Sequence, residues 1–162
     1  MMIEAIKFIK RFILGGLIRL KLRLTFVDFK SGKNFYPRSG FYVARGYRVR
    51  VGHNVYIGRI THIAANVTIG NDALIASCVS FVGGDHKIDG TGEALIRESG
   101  LGNQLPIDIG DDVWIGHGCI ILAGAKMARG SVLAAGAVLV GAVGEYEVWG
   151  GVPARFIRKR QL

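Results

Sequence analysis

From residue 51 to residue 80 the chain repeats a pattern of large aliphatic, tiny and small side chains every six positions: VGHNVY, IGRITH, IAANVT, IGNDAL, IASCVS. The first positions are Val51, Ile57, Ile63, Ile69 and Ile75, and the second are Gly52, Gly58, Ala64, Gly70 and Ala76. The fifth are Val55, Thr61, Val67, Ala73 and Val79. A weaker continuation runs back through Gly40/Val43 and Gly46/Val49. The pattern stops over 82–106 and resumes over 109–144. First positions there are Ile109, Ile115, Ile121, Met127, Leu133 and Leu139, and fifth positions are Val113, Cys119, Ala125, Ser131, Ala137 and Val143. The two blocks are out of phase, so 82–106 is an inserted loop rather than a run of worn repeats. This period predicts short strands joined by tight turns. The aliphatic residue points into a narrow core, and its tiny neighbour lets the backbone turn or lets coils approach closely. One unit cannot bury its apolar face alone, so stacked units share a continuous column, as in a solenoid.

The first 24 residues follow a different rule. Ile3, Ile6, Ile9, Phe12, Ile13, Leu17 and Leu20 recur at helical spacings, with Lys7, Lys10, Arg11, Arg19, Lys21 and Arg23 among them. They predict a basic amphipathic helix, kinked at Gly15-Gly16. Its compatible roles are covering the open end of the column, packing against another copy, and lying on an anionic membrane surface. The longest unbroken apolar run, 12–18, has 7 residues. That is far short of the ~20 needed to span a bilayer. No small-residue cleavage site follows, so no signal peptide is expected.

Composition sharpens this picture. Glycine numbers 24 of 162 residues, about twice the usual ~7% share, and the second position of the repeat absorbs much of the excess. The net charge of +9 invites a nucleic-acid reading. Its distribution argues otherwise: 12 basic and 2 acidic residues lie in 1–50, 5 and 10 in 51–150, and 4 and 0 in 151–162. An acidic middle between basic ends is no nucleic-acid stripe. Two cysteines, Cys78 and Cys119, form no disulfide framework and no CxxC zinc pattern, which suits a reducing cytoplasmic compartment.

Two stretches, VTIGNDALIASCVSFVGGDH (67–86) and IGDDVWIGHGC through GGVPARFIRKR (109–160), resemble the hexapeptide-repeat acyltransferases, and among them the sugar O-acetyltransferases. The resemblance implies an all-β fold: a left-handed parallel β-helix with three hexads per triangular coil, an N-terminal helix and a projecting loop. Handedness rests on the resemblance alone, because the general crossover rule is right-handed. Seven hexads over 39–80 and six over 109–144 make about four coils. The expected organisation is a basic segment over 1–30, a β-helix over 31–150 with its inserted loop, and a basic segment over 151–162 that closes a coenzyme site.

The family's chemistry falls on particular residues. His86, at the start of the loop, matches the catalytic histidine, and an imidazole suits removal of a proton from an attacking hydroxyl near pH 7. Asp85 either orients that ring or serves the turn. Trp114 and Ala135 fall beside the coenzyme A arm, and His117 is expected as an outward residue near that groove or merely solvated. Arg155 and Arg158 match the arginines of P-A-R-x-I-R, and guanidinium forks suit phosphates. Relatives often carry Thr-Lys where this chain has Val140-Gly141, so Lys159 or Arg160 stands in for the phosphate-directed lysine. Asn54 and Asn66 are candidates for an acetyl contact, and Tyr146 and Trp149 for packing of the last coil. The implied co-substrate is acetyl-CoA, with no metal. The implied assembly is a homotrimer with active sites between subunits. The implied acceptor is a sugar hydroxyl of a bacterial surface polysaccharide or its lipid-linked precursor, reached from the cytoplasm or the inner membrane face.

Other readings are N-acetylation of an amino-sugar, acetylation of serine or an antibiotic, and a non-catalytic β-helix scaffold. IGHGC also resembles part of the γ-class carbonic anhydrases, which bind zinc with three histidines. Four are present, His53, His62, His86 and His117, but Leu122 occupies the place of the second histidine that class needs.

Overall fold

The computed structural model describes residues 13, 14, 16–18, 20, 28–83, 86–90 and 92–162. Among these residues eighteen strands follow in chain order. They are β1 (Asp28–Ser31), β2 (Tyr36–Pro37), β3 (Tyr42–Val43), β4 (Arg48–Val51), β5 (Tyr56–Ile57), β6 (His62–Ala64), β7 (Val67–Ile69), β8 (Leu74–Ile75), β9 (Ser80–Val82), β10 (Ile107–Ile109), β11 (Trp114–Ile115), β12 (Ile120–Leu122), β13 (Lys126–Met127), β14 (Val132–Leu133), β15 (Val138–Leu139), β16 (Ala142–Val143), β17 (Glu147–Gly150) and β18 (Arg155–Lys159). Every third strand stacks on one face. The first face orders β1-β4-β7-β10-β13-β16, the second β2-β5-β8-β11-β14-β17 with β18 at its edge, and the third β3-β6-β9-β12-β15. All neighbours are parallel except β17 and β18, which pair antiparallel. The chain is thus a three-sided parallel β-helix of the left-handed class.

The hexad rule accounts for the core. Every first- and fifth-position residue of both blocks is buried, from Ile57 and Ile121 to the small Ala125 and Ser131. The two buried hydroxyls are satisfied locally: Thr61 Oγ1 donates to the Gly58 carbonyl (3.2 Å) and Ser131 Oγ to the Ala128 carbonyl (2.7 Å). Gly52 shows why the second position is tiny. A Cβ there would lie 2.6 Å from the carbonyl oxygen of Gly70 in the next coil.

Among the described residues the solenoid's first strand begins at Asp28, about one coil before the hexad pattern predicts. This first coil is slightly longer than those that follow. Tyr36 stands opposite Tyr56 across it, whereas the later spacing is that of Val49 opposite Val67. It sets Phe29, Phe35 and Phe41 against the core, with Pro37 and Val43 also buried, and the aromatic residues break the aliphatic-glycine signature. The three rings meet in a triangle with centroids 5.5, 6.0 and 5.8 Å apart and plug the end of the column. Residues 13, 14, 16–18 and 20 are helical, and Ile18 packs against the hydrophobic core of the solenoid. The remainder of the expected N-terminal helix lies outside the described residues.

One corner, between the first and second faces, stacks Asn34, Asn54, Asp72, Asp112, Gly130 and Tyr146, all at positive φ. Asparagine, aspartate and glycine suit that left-handed turn. Their side chains also form a ladder, in which Asn34 Nδ2 donates to Asn54 Oδ1 and Asn54 Nδ2 to Asp72 Oδ1, each at 2.8 Å. At the third corner the chain leaves β9 and returns at β10. Ile107 then stands opposite Val67, just as Val67 stands opposite Val49, so the ladder continues as though the excursion were not there.

Candidate functional site

Sixth positions of successive hexads point outward, and on the second face they fall into register. Trp114 lies opposite Leu74 and Val132, Val132 opposite Val148, and Val148 opposite Arg158. With strands ~4.8 Å apart, this row forms an apolar floor ending in a guanidinium. It underlies a groove of about 720 Å3. Residues just past each strand, Ala76, Gly116, His117, Ala134 and Ala135, line one side, and Asp72, Asp112 and Arg160 line the other. The small side is enforced by the stacking: a Cβ on Gly116 would lie 2.5 Å from the amide nitrogen of Ala135.

Of the residues expected at a coenzyme site, Trp114, His117, Ala135 and Arg158 line this groove, and Trp114 is half exposed. Arg155 and Lys159 do not line it. Arg155 Nη1 donates to the Ala154 carbonyl (2.8 Å), and Lys159 pairs with Glu147 across the β17–β18 hairpin. Alternation along an extended strand sends Arg158 and Arg160 to one side and Lys159 to the other. Arg160 is held to the coil wall: its Nη1 donates to Asp112 Oδ2 (3.0 Å) and the Gly130 carbonyl (2.8 Å), and its guanidinium stands 6.0 Å from the Tyr146 ring centroid. Leu74, Val132 and Val148 were not expected in the site. Their signal was present as the sixth hexad position shared by Leu74, Trp114 and Val132.

His86 is exposed in the excursion and does not line the groove. It forms an antiparallel bridge with Leu101, and the Lys87 amide donates to the Gly100 carbonyl (3.1 Å), so the loop folds back on itself at this histidine. Asp85 lies outside the described residues. Both asparagine candidates for an acetyl contact hold the scaffold instead. Asn54 belongs to the corner ladder, and Asn66 Oδ1 accepts the Arg48 amide (2.9 Å).

The other histidines are dispersed. His53 Nδ1 accepts the Lys33 amide (3.0 Å), and His62 stacks on Tyr42 with centroids 5.3 Å apart. Among the described residues no three His, Cys, Asp or Glu side chains form a metal-binding group. Cys119 lies under the groove wall, its Sγ donating to the Ala134 carbonyl (3.0 Å), and burial pushes its thiol pKa up. That holds it as a neutral thiol. The hairpin that carries Arg158 is braced by Glu147, whose Oε2 accepts the Trp149 indole N–H (2.8 Å) and the Gly144 amide (2.9 Å). Those bonds, the indole's first, hold the Glu147 carboxyl below the usual carboxylate range.

Comparison with known proteins fits this geometry. Residues 106–141 match the family described as bacterial transferase hexapeptide (six repeats). A putative acetyltransferase of Schizosaccharomyces pombe is 39% identical over 95 residues, 59% of this chain and 44% of that one. A putative lipopolysaccharide biosynthesis O-acetyl transferase of Escherichia coli K12 is 34% identical over 110 residues, 60% of this chain and 54% of that one. The chain spans about half the length of these curated relatives. The structure of a galactoside acetyltransferase in complex with coenzyme A superposes with a TM-score of 0.72 at 30% identity, covering 80% of this chain and 64% of that one. Repeat, coil and outward groove agree with these matches: residues 106–141 carry the hexapeptide repeat of that transferase family, and the chain is similar to acetyltransferases that share the fold.

Proposed function

We propose that this chain transfers an acetyl group from acetyl-CoA to a hydroxyl of a sugar. The groove on the second face carries the reading. Its apolar floor fits a pantetheine arm, Ala134 and Ala135 leave the space that arm needs, and Arg158 at its end supplies a fork for phosphate. A structure that shares this fold at 30% identity holds coenzyme A. Coenzyme A, when bound, supplies the activated thioester, and this chain's residues do the rest.

The His86 imidazole takes the proton of the acceptor hydroxyl as its oxygen bonds to the thioester carbonyl carbon. The carbon–sulfur bond breaks, and the proton passes to the departing sulfur. Attack is direct, so the buried neutral Cys119 takes no part. His86 stands apart from the groove within one chain, which supports completion of each site by a second copy in a closed homotrimer. The 151–162 segment closes the coenzyme end through Arg158. The acceptor is a sugar of a surface polysaccharide or its lipid-linked precursor, in keeping with the O-acetyl transferase relative. The reaction belongs in the cytoplasm, where coenzyme A thioesters are made.

The test is acetyl-CoA-dependent release of free thiol with a panel of hydroxyl- and amino-sugars. His86→Ala should lose at least ~100-fold in turnover, the usual scale of a general base, while still binding coenzyme A. Ala135→Leu should lose coenzyme A affinity by tenfold or more at an unchanged melting temperature. Unchanged turnover in His86→Ala refutes the base. Coenzyme binding without turnover on any acceptor favours a scaffold.

A further inference from the structure

The helical residues at the N-terminal end present two faces. Ile18 packs against the hydrophobic core, and Leu14 is half-buried. Ile13, Leu17 and Leu20 recur at helical spacing, one stripe of a helix, and are 54%, 58% and 53% exposed. The phenylalanine triangle already plugs the column, so this stripe is not needed to cover the core.

The first coil, next in the chain, is basic. β1, β2 and β3 are the terminal strands of the three parallel stacks; Lys30, Lys33 and Arg38 lie on or between them, and Arg45 follows β3. Among the described residues none of these four is in an ion pair. The coil's one carboxylate, Asp28, is taken by Arg50 (2.8 Å) and Arg48 (3.3 Å) of the next coil. Over 28–64 the sequence holds seven basic residues and one acidic, and over 65–150 four and ten, before the basic 151–162 segment. The cationic first coils therefore follow directly in the chain on the helical residues that expose the apolar stripe.

We propose that this end of the solenoid docks on an anionic lipid bilayer surface, with Ile13, Leu17 and Leu20 entering the headgroup region and the first-coil cations meeting lipid phosphates. An exposed aliphatic stripe followed by a cationic coil matches an interface that is apolar below and negatively charged above. A protein partner would have to reproduce both features. No described helix is long and apolar enough to cross a membrane. This docking stands independently of the acyl-transfer reading, since it uses neither the groove nor His86.

Co-sedimentation of the full chain with vesicles tests it. The chain should pellet with vesicles containing about a third phosphatidylglycerol, stay in solution with pure phosphatidylcholine, and be released by salt that shortens the Debye length to about 3 Å. The double substitution Leu17→Asp/Leu20→Asp, on exposed positions, should lose tenfold or more of the binding at an unchanged melting temperature. Lys30→Glu/Lys33→Glu should lose at least about fivefold per residue. Failure of the wild type to pellet overturns the proposal, as does equal binding by the leucine variant. A change in light-scattering mass without a change in partition would assign the stripe to contact between copies and also overturn it.

Discussion

The two ends of the column are closed by opposite means. At the N-terminal end three phenylalanines, one from each side of the first coil, fill the triangular cross-section from within. The plug is made of core residues, and the coil is lengthened to hold it, with Tyr36 opposite Tyr56. At the C-terminal end the chain reverses into the β17–β18 hairpin, laying Trp149 and Ala154 against the column and leaving Arg158 and Arg160 on the rim. One end is sealed by bulk and bears cations with no chemistry beside them. The other is sealed by a hairpin whose outer side completes a groove. A solenoid needs both lids, and the second lid also completes the groove.

Removing the aromatic plug should have the largest effect. Phe35 is fully buried, and Phe35→Ala should cost about 3–5 kcal/mol. Coils interact only with their neighbours, so lost amide protection in hydrogen exchange should concentrate in β1–β6 and spare β10–β15. Uniform loss would show that the ends are not independent.

The C-terminal latch should matter less. Arg160→Ala removes the bonds to Asp112 and Gly130, but the side chains of Arg160 and Asp112 are 32% and 55% exposed, and water screens them. About 1 kcal/mol or less is expected. Exchange should quicken in β18 alone, and coenzyme A should bind more weakly because Arg158 loses its support. Unchanged exchange in β18 would show that the antiparallel pairing suffices.

The smallest effect is in pH. Each end carries one carboxyl held below the usual range: Asp28, chiefly by its hydrogen bond from Arg50, and Glu147, chiefly by the Trp149 indole. A folded-state pKa below the unfolded one contributes stability above the unfolded value and loses it as pH falls through the folded value. Both contributions should therefore be intact at neutral pH and fade in acid below about pH 4. Comparing melting temperatures between pH 7 and 3, Asp28→Asn and Glu147→Gln should each fall less than the wild type. An equal fall would remove either group from the account.

Much of the fold was legible because the hexad is local. Ile57 is buried for the same reason as Ile121, and the reason can be read within one repeat. The groove floor was legible in principle, since Leu74, Trp114 and Val132 share a hexad position. The first coil was not, because Phe29, Phe35 and Phe41 fill the inward positions without the aliphatic-glycine signature. Asn54 and Asn66 looked like candidates for chemistry, and the corner ladders claim them.

The sequence alone determined the period, the inward residues of both hexad blocks, the place of the insertion and the polarity of charge along the chain. All of these follow from neighbours within a coil or from simple order along it. The tertiary structure decided what depends on residues far apart in sequence. Arg160 reaches Asp112, 48 positions away. Arg158 comes to the end of a floor built from four strands, while Lys159 faces away. The helical segment presents Ile13, Leu17 and Leu20 outward because a plug assembled from three sides of the first coil had already met the need of the core.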